Sequence, residues 1–129
     1  MDKFDQTMNK MSMTPMERMS GMRKFQSCID ECMSCEEMCE MCASDCLMDP
    51  NVKMMVKCVQ MCRDCADICM VTMRMMARNS MMAKNMCRMC ADMCDACAAE
   101  CDKHASMASC KSCADACKTC ASECRKMMG

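Results

Sequence analysis

Cysteines are the residues of this sequence best suited to chemistry, and their spacing is regular. Residues 28–46 read CIDECMSCEEMCEMCASDC and hold six cysteines, separated by 4, 3, 4, 3 and 4 positions. Three later blocks repeat this alternation, which brings the total to 20. The cysteines are Cys28, Cys32, Cys35, Cys39, Cys42 and Cys46; Cys58, Cys62, Cys65 and Cys69; Cys87, Cys90, Cys94, Cys97 and Cys101; and Cys110, Cys113, Cys117, Cys120 and Cys124. Soft thiolate ligands select Cu(I), zinc or iron–sulfur clusters, so the pattern predicts metal binding.

The spacing of the cysteines also predicts the elements that carry them. Gaps of 3 and 4 place side chains on one face of an α-helix, whereas a strand requires a period of 2. Turn signals separate the blocks: MDPN at 48–51, RNS at 78–80 and HAS at 104–106. We therefore expect helices near 22–47, 51–78, 81–103 and 107–127. Such short connections predict an all-α, antiparallel up-down-up-down four-helix bundle whose thiols face one central axis.

The N-terminal region differs from the rest of the chain. Thr14, Pro15 and Glu17 have the pattern of a helix start, and Ser20-Gly21 predicts an interruption soon afterwards. We therefore expect a Met-rich segment with a short leading helix over residues 1–21, followed by the bundle over 22–129. The methionines of this segment are Met8, Met11, Met13, Met16, Met19 and Met22. Their spacing suits thioether capture of copper, and equally a short amphipathic helix that covers the bundle.

The composition predicts a core built largely from sulfur. Leu47 is the single leucine of the 129 residues, while Met and Cys number 26 and 20. Cysteine packs as a small apolar residue and methionine fills irregular gaps, so both can replace branched hydrophobes. Methionines beside the cysteine stripes are therefore interpreted as packing between helices or between bundles. They are Met33, Met38, Met41, Met61, Met89 and Met93.

Charge and hydropathy exclude several classes of function. The 17 basic and 18 acidic residues are interspersed and give a net charge of −1, so no nucleic-acid partner is expected. No apolar run is long enough to cross a membrane. The N-terminus lacks the charged and apolar regions of a secretory signal. We therefore expect a cytoplasmic protein with reduced thiols.

Cu(I) is the metal that the cysteine ladder fits best. Residues three or four apart on a helix have Cβ atoms about 5–6 Å apart, so sulfurs about 4.5 Å apart could share a two-coordinate ion. If every thiolate bridges two ions, the capacity is on the order of one copper per cysteine. A zinc or cadmium sequestering protein of metallothionein type is the alternative. At one end of the bundle, continuation of the stripes reaches His104 and Met55 near Cys46, and we expect copper to load there.

The cysteine pattern resembles that of a known family. The segments CIDECMSCEEMCEMC, CADICMVT and ECDKHA are similar to the bacterial copper storage proteins, and more to their cytosolic branch. The resemblance covers about residues 20–127. It implies a cysteine-lined four-helix bundle that stores many Cu(I) ions along its axis and assembles into homotetramers. It also implies that all 20 cysteines bind copper, with His104 as a ligand at one end.

Three other interpretations of the cysteines are weaker. A disulfide-stapled domain fits poorly, because adjacent helix axes lie about 8–10 Å apart and disulfide-bonded Cα atoms about 4.4–6.8 Å. A redox or structural module would use the thiols only as core. A catalytic cysteine needs an activating base, for which a single histidine is thin support, so no enzymatic activity is expected. Copper ions are the expected partner, and a copper chaperone is a candidate donor.

Overall fold

The computed structural model describes residues 14–128, and this part of the chain contains helices and no strands. Four α-helices run Pro15–Leu47 (α1), Val56–Ala77 (α2), Ala83–Asp102 (α3) and Ala108–Met128 (α4). A 3-10 helix, Val52–Met55, leads into α2. The predicted all-α fold is confirmed. Among these helices none is both long enough and apolar enough to cross a membrane.

The helices form a closed antiparallel ring in chain order. α1 packs against α2 and α4, and α3 packs against the same two helices. Short connections require this arrangement, because each helix must reverse direction within a few residues and lie beside the preceding one. Ion pairs tie α3 to α4 on the outer surface, where Arg125 contacts Asp92 and Asp95 and Lys118 contacts Asp102. The ring encloses one central axis, towards which the cysteine stripes point.

The core has a sulfur centre and an alanine rim. Every one of the 20 cysteines is fully buried. An alanine follows a stripe cysteine at six buried positions, which are Ala43, Ala66, Ala91, Ala98, Ala114 and Ala121. Because alanine has only a Cβ, it allows adjacent helices to approach closely while the preceding cysteine points inwards. Met61 and Met93 are partly buried and pack against this core, which confirms the packing interpretation for these two.

The connections use the turn chemistry that the sequence indicates. α2 ends in a Schellman motif, in which Ser80 N–H bonds to Met75 O and Asn79 N–H to Met76 O, at 2.9 and 3.0 Å. Asn79 has a positive φ of 51°, a conformation that asparagine tolerates better than most residues. The Ser80 hydroxyl then accepts a hydrogen bond from Met82 N–H before α3. The predicted helix ends at 78 and 103 lie within one residue of those observed.

The beginnings of α1 and α2 differ from the predictions. α1 is continuous from Pro15 to Leu47, so the predicted break at Ser20-Gly21 and the separate leading helix are wrong. Glycine inside a helix costs only about 1 kcal/mol, which the rest of a 33-residue helix can offset. The carboxylate of Asp49 accepts a bond from Asn51 N–H, and the 3-10 turn then precedes regular α2. Residues 1–13, which include Met8, Met11 and Met13, lie outside the described residues.

Candidate metal centre

The cysteine side chains form one continuous column of sulfur along the bundle axis, which we call the sulfur tube. All 20 cysteines are free and buried, and neighbouring Sγ atoms lie between 3.5 and 4.0 Å apart. Contacts cross both diagonals of the ring: Cys35 of α1 lies 4.0 Å from Cys94 of α3, and Cys62 of α2 lies 3.9 Å from Cys113 of α4. The four stripes therefore meet at the axis. None of these distances approaches the S–S bond length of about 2.05 Å.

The sulfur spacing determines which coordination a metal ion could adopt without rearrangement. Taking about 2.3 Å for a metal–thiolate bond, two bonds to sulfurs 3.5–4.0 Å apart enclose an angle of about 100–120°. That angle suits an ion held by three thiolates. A linear two-coordinate ion needs sulfurs about 4.6 Å apart, so the pairs at 3.5–4.0 Å would have to separate by small side-chain rotations to hold one.

Groups of four thiols within ligand distance overlap along the tube. Within each group the four Sγ atoms lie within 4.8 Å of one another. Five of the groups are Cys32, Cys90, Cys120 and Cys124; Cys35, Cys69, Cys94 and Cys120; Cys35, Cys39, Cys65 and Cys117; Cys39, Cys97, Cys113 and Cys117; and Cys42, Cys46, Cys58 and Cys110. Cys35, Cys39, Cys117 and Cys120 each belong to two of them. Along the first four groups, a metal in one would thus share at least one sulfur with a metal in the next, whereas the fifth group shares no cysteine with them.

Burial and S–H bonding change the acidity of the thiols. Burial raises the pKa of Cys46 to about 12 and also raises the pKa of Cys110. The pKa of Cys120 falls to about 7, because Cys124 and Cys32 donate S–H bonds that stabilise its thiolate. Around Cys39 the effect is opposite, and bonds with Cys113 and Cys117 raise its pKa. Each thiolate can be stabilised only by neighbours that keep their own protons, so ionisation cannot spread along the tube.

One end of the tube, which we call the mouth, lies beside the α1–α2 and α3–α4 connections. There Cys46 contacts Cys58 at 3.9 Å and Cys110 at 3.7 Å. The Met107 thioether lies 4.0 Å from Cys46 Sγ and 3.6 Å from Cys110 Sγ. Met55 is buried at the same end. A thioether therefore joins the thiols at the mouth.

The imidazole of His104 also lies at the mouth, where it is bound by an acidic residue. Its Nε2 lies 3.2 Å from Oε2 of Glu100, and the His104 side chain is 21 % exposed. Glu100 is nearly buried and also pairs with Lys57 and Lys103, at 3.6 and 3.3 Å. His104 is not in the five groups above. The assignment of His104 and Met55 as ligands remains a prediction.

The opposite end of the tube is closed by apolar side chains. Met76 is fully buried, and its Sδ lies 3.7 Å from Cys87 Sγ. Phe25 is buried, and Met127 packs against the same cluster. Thr72 occupies the stripe position between Cys69 and Met76, and its hydroxyl donates to Ile68 O at 2.7 Å. The α2 stripe therefore stops contributing thiols before this end.

Comparison with known proteins identifies the family. A family model described as copper storage protein matches residues 21–129. The chain belongs to the copper storage protein family. The structure of Cu(I)-bound copper storage protein BsCsp3 is 38% identical with a TM-score of 0.79, covering 82% of this chain and 99% of that one. A cytosolic copper storage protein from Streptomyces lividans is 33% identical with a TM-score of 0.80, covering 84% and 95%. No curated protein sequence matches significantly.

Two residues of this copper storage protein were not predicted as part of the site. Met107 immediately precedes α4 and is not among the residues predicted to bind copper, yet its sulfur contacts two core thiols. Glu100 carries no signal in the cysteine periodicity, but it lies four residues before His104, a spacing that brings two side chains together on a helix. That spacing could have indicated the Glu100–His104 pair. The contact of Met107 with Cys46 depends on how α4 packs against α1, which the sequence pattern does not specify.

Proposed function

We propose that this copper storage protein stores Cu(I) in its sulfur tube, with thiolates from all four helices as ligands. The observation that carries the proposal is the complete burial of 20 free cysteines whose sulfurs lie 3.5–4.0 Å from their neighbours. A core that only needed apolar volume would not require thiols at every stripe position. Because the thiols form overlapping groups, bridging sulfurs would support a capacity on the order of one copper per cysteine.

Charge balance favours Cu(I) over a divalent metal. In the described core the buried polar or charged residues are Thr72 and Glu100, so no buried cation is available to offset thiolate charge. One Cu(I) per thiolate leaves the tube neutral. A zinc ion with four unshared thiolates carries two net negative charges, which are costly to bury. Zinc reaches neutrality only if every sulfur bridges two ions in tetrahedral geometry. Zinc or cadmium sequestration is therefore the second candidate, favoured only by the four-sulfur groups.

We propose the mouth as the loading end. The opposite end is closed by Met76 and Phe25, whereas the mouth has a partly exposed imidazole and a thioether next to core thiols. Imidazole and thioether groups bind Cu(I) without adding charge. A copper ion held by them at the mouth could therefore pass to a neighbouring thiol of the tube by ligand exchange. Copper would pass from His104 and Met107 to Cys46 and Cys110, and then from thiolate to thiolate. Met55, buried at the same end, would complete this ligand set.

The remaining assignments extend the same proposal. A cytoplasmic location agrees with 20 free thiols and with a Streptomyces relative described as cytosolic. Storage by ligand exchange requires no catalytic group, so we propose no enzymatic activity. A homotetramer is proposed from the family resemblance, in which half-exposed methionines such as Met41 and Met89 would pack between bundles. A copper chaperone would be a suitable donor.

Anaerobic titration of the reduced protein with Cu(I) tests the storage proposal. Thiolate-to-copper charge-transfer absorption should rise until on the order of 20 ions are bound per chain, and metal analysis after dialysis should give the same number. Fewer than about five coppers per chain would contradict storage. In competition, a strong Cu(I) chelator at one equivalent per bound copper that removes all copper while zinc stays bound would instead support the zinc alternative.

A further inference from the structure

A groove on the side of the bundle lies outside the proposed loading path. It runs between α1 and α2 and encloses about 590 Å³. Its walls include Cys32, Met33 and Glu36 of α1 and Cys69, Met70 and Met73 of α2. We call it the lateral groove. Cys32 is 14 positions from Cys46 along α1, or about 21 Å at 1.5 Å per residue, so this groove is remote from the mouth.

Three methionines give the lateral groove a thioether lining that runs from the surface to the core. Met33 is 52% exposed, Met70 is half-buried, and Met73 packs against the buried cluster. Met70 and Met73 lie three residues apart on α2, so they share a face of that helix. Met33 faces them from α1 across the groove. Three methionines therefore line one concave site that is open to solvent.

The lateral groove lies beside the sulfur tube. Cys32 and Cys69 line it, yet both are fully buried. They belong to two different four-thiol groups, which share Cys120. The carboxylates of Glu36 and Glu37 stand in the wall and add negative charge beside the thioethers. This combination of soft neutral donors and nearby carboxylates suits a soft monovalent cation.

We propose that Met33, Met70 and Met73 form an external thioether site for Cu(I) or Ag(I) on the side of the bundle. The proposal rests on the proposed function only in taking Cu(I) as the cargo. A thioether carries no proton at any accessible pH, so binding in the groove displaces none, whereas binding to a core thiol does. The site would hold copper outside the tube, beside Cys32 and Cys69, and would account for the exposure of Met33.

Silver binding to the copper-loaded protein tests the lateral site. Ag(I) is a soft ion that is not readily oxidised, and its binding can be followed by NMR of protein labelled with ¹³C at the methionine methyls. One added equivalent per chain should shift the methyl resonances of Met33, Met70 and Met73. The variant Met33→Leu/Met70→Leu/Met73→Leu preserves the side-chain volume and should bind one silver ion fewer per chain. The control Met41→Leu/Met54→Leu/Met89→Leu removes three other exposed methionines and should bind as many as the unmodified protein.

Each outcome decides the proposal. The proposal would be overturned if Ag(I) did not shift the methyl resonances of the three groove methionines. It would also be overturned if the triple variant bound as many silver ions per chain as the unmodified protein. Unmoved methyls together with altered sedimentation of the triple variant would show that a second copy covers the groove, and would also overturn it. The methyl shifts need no substitution, so a variant that fails to fold leaves this measurement intact. If the tube takes up no copper but the metal-free triple variant still binds one silver ion fewer per chain than the unmodified metal-free protein, the lateral site stands and the storage proposal fails.

Discussion

Loading of the metal-free protein with Cu(I) should release close to one proton per copper at pH about 7.5. The reason is that repulsion between neighbouring thiolates leaves most of the thiols protonated until a metal replaces the proton. Burial raises the pKa of Cys46 to about 12, and the part of the core that the structure describes holds no buried cation that could favour thiolates. The metal must therefore displace the proton.

Repulsion between neighbouring thiolates sets the magnitude. Cys58 and Cys101 have sulfurs 3.8 Å apart. At an effective dielectric constant of about 20, two charges at this distance repel by about 4 kcal/mol. That energy corresponds to about 3 pKa units. A thiol beside an existing thiolate, such as one at Cys120 with its pKa of about 7, therefore stays protonated at neutral pH. Only isolated thiolates can exist before loading.

A pH-indicator titration measures the released protons directly. Cu(I) should be supplied anaerobically in acetonitrile, which takes up no proton, to weakly buffered protein that contains an indicator dye. The thiolate–copper absorption gives the bound copper in the same sample. About half a proton per copper or less would refute the reasoning, because it would mean that alternate thiols are already ionised and that the tube tolerates many buried charges. A copper-free injection of acetonitrile is the control.

Two further predictions follow from the same geometry. The metal-free bundle should lose thermal stability from about pH 9 to 12, because thiols of the unfolded chain ionise from about pH 8.5 while Cys46 in the folded protein stays protonated to about 12. The free energy of unfolding should fall by about 1.4 kcal/mol per pH unit for each such thiol. A melting temperature, measured by circular dichroism, that stays constant over this range would contradict the prediction. Met107→Leu should slow copper uptake in stopped-flow absorption by about tenfold, because the loss of one ligand contact raises the barrier by about 1.4 kcal/mol. The matched control Met48→Leu, at a site 82% exposed, should leave the rate of uptake unchanged. Equal rates for the two variants would exclude Met107 from the loading path.

The helices could be predicted from the sequence to within a few residues because their signal is redundant. Every stripe repeats the same alternation, and RNS at 78–80 ends α2 in a defined motif. The errors fell at single-residue signals. Gly21 was interpreted as a break, but a glycine penalty of about 1 kcal/mol is small against the rest of a 33-residue helix. The second bundle helix was expected from residue 51, but residues 52–55 first form a 3-10 turn and α2 begins at Val56.

The cysteines of the site could be predicted from the sequence, whereas the non-cysteine residues at its ends could not be predicted completely. When four helices joined by short connections each carry one stripe of thiols, the four stripes must face the shared axis of the bundle. His104 and Met55 follow from continuing the stripes. Glu100 lies off the stripe, and its burial against His104 depends on Lys57 of another helix. The contact of Met107 with Cys46 joins residues 61 positions apart.

The alternating spacing of cysteines by itself determined the helices, the inward direction of the thiols and their affinity for soft metals, because a period of 3.5 allows one regular structure and thiolate chemistry is a property of the residue. The tertiary structure alone decided the sulfur–sulfur distances, the sharing of thiols between groups, the closed end at Met76 and the lateral groove over Cys32 and Cys69. These features depend on the rotation and separation of packed helices. Small differences in those quantities change which sulfurs can share an ion, and no local pattern encodes them.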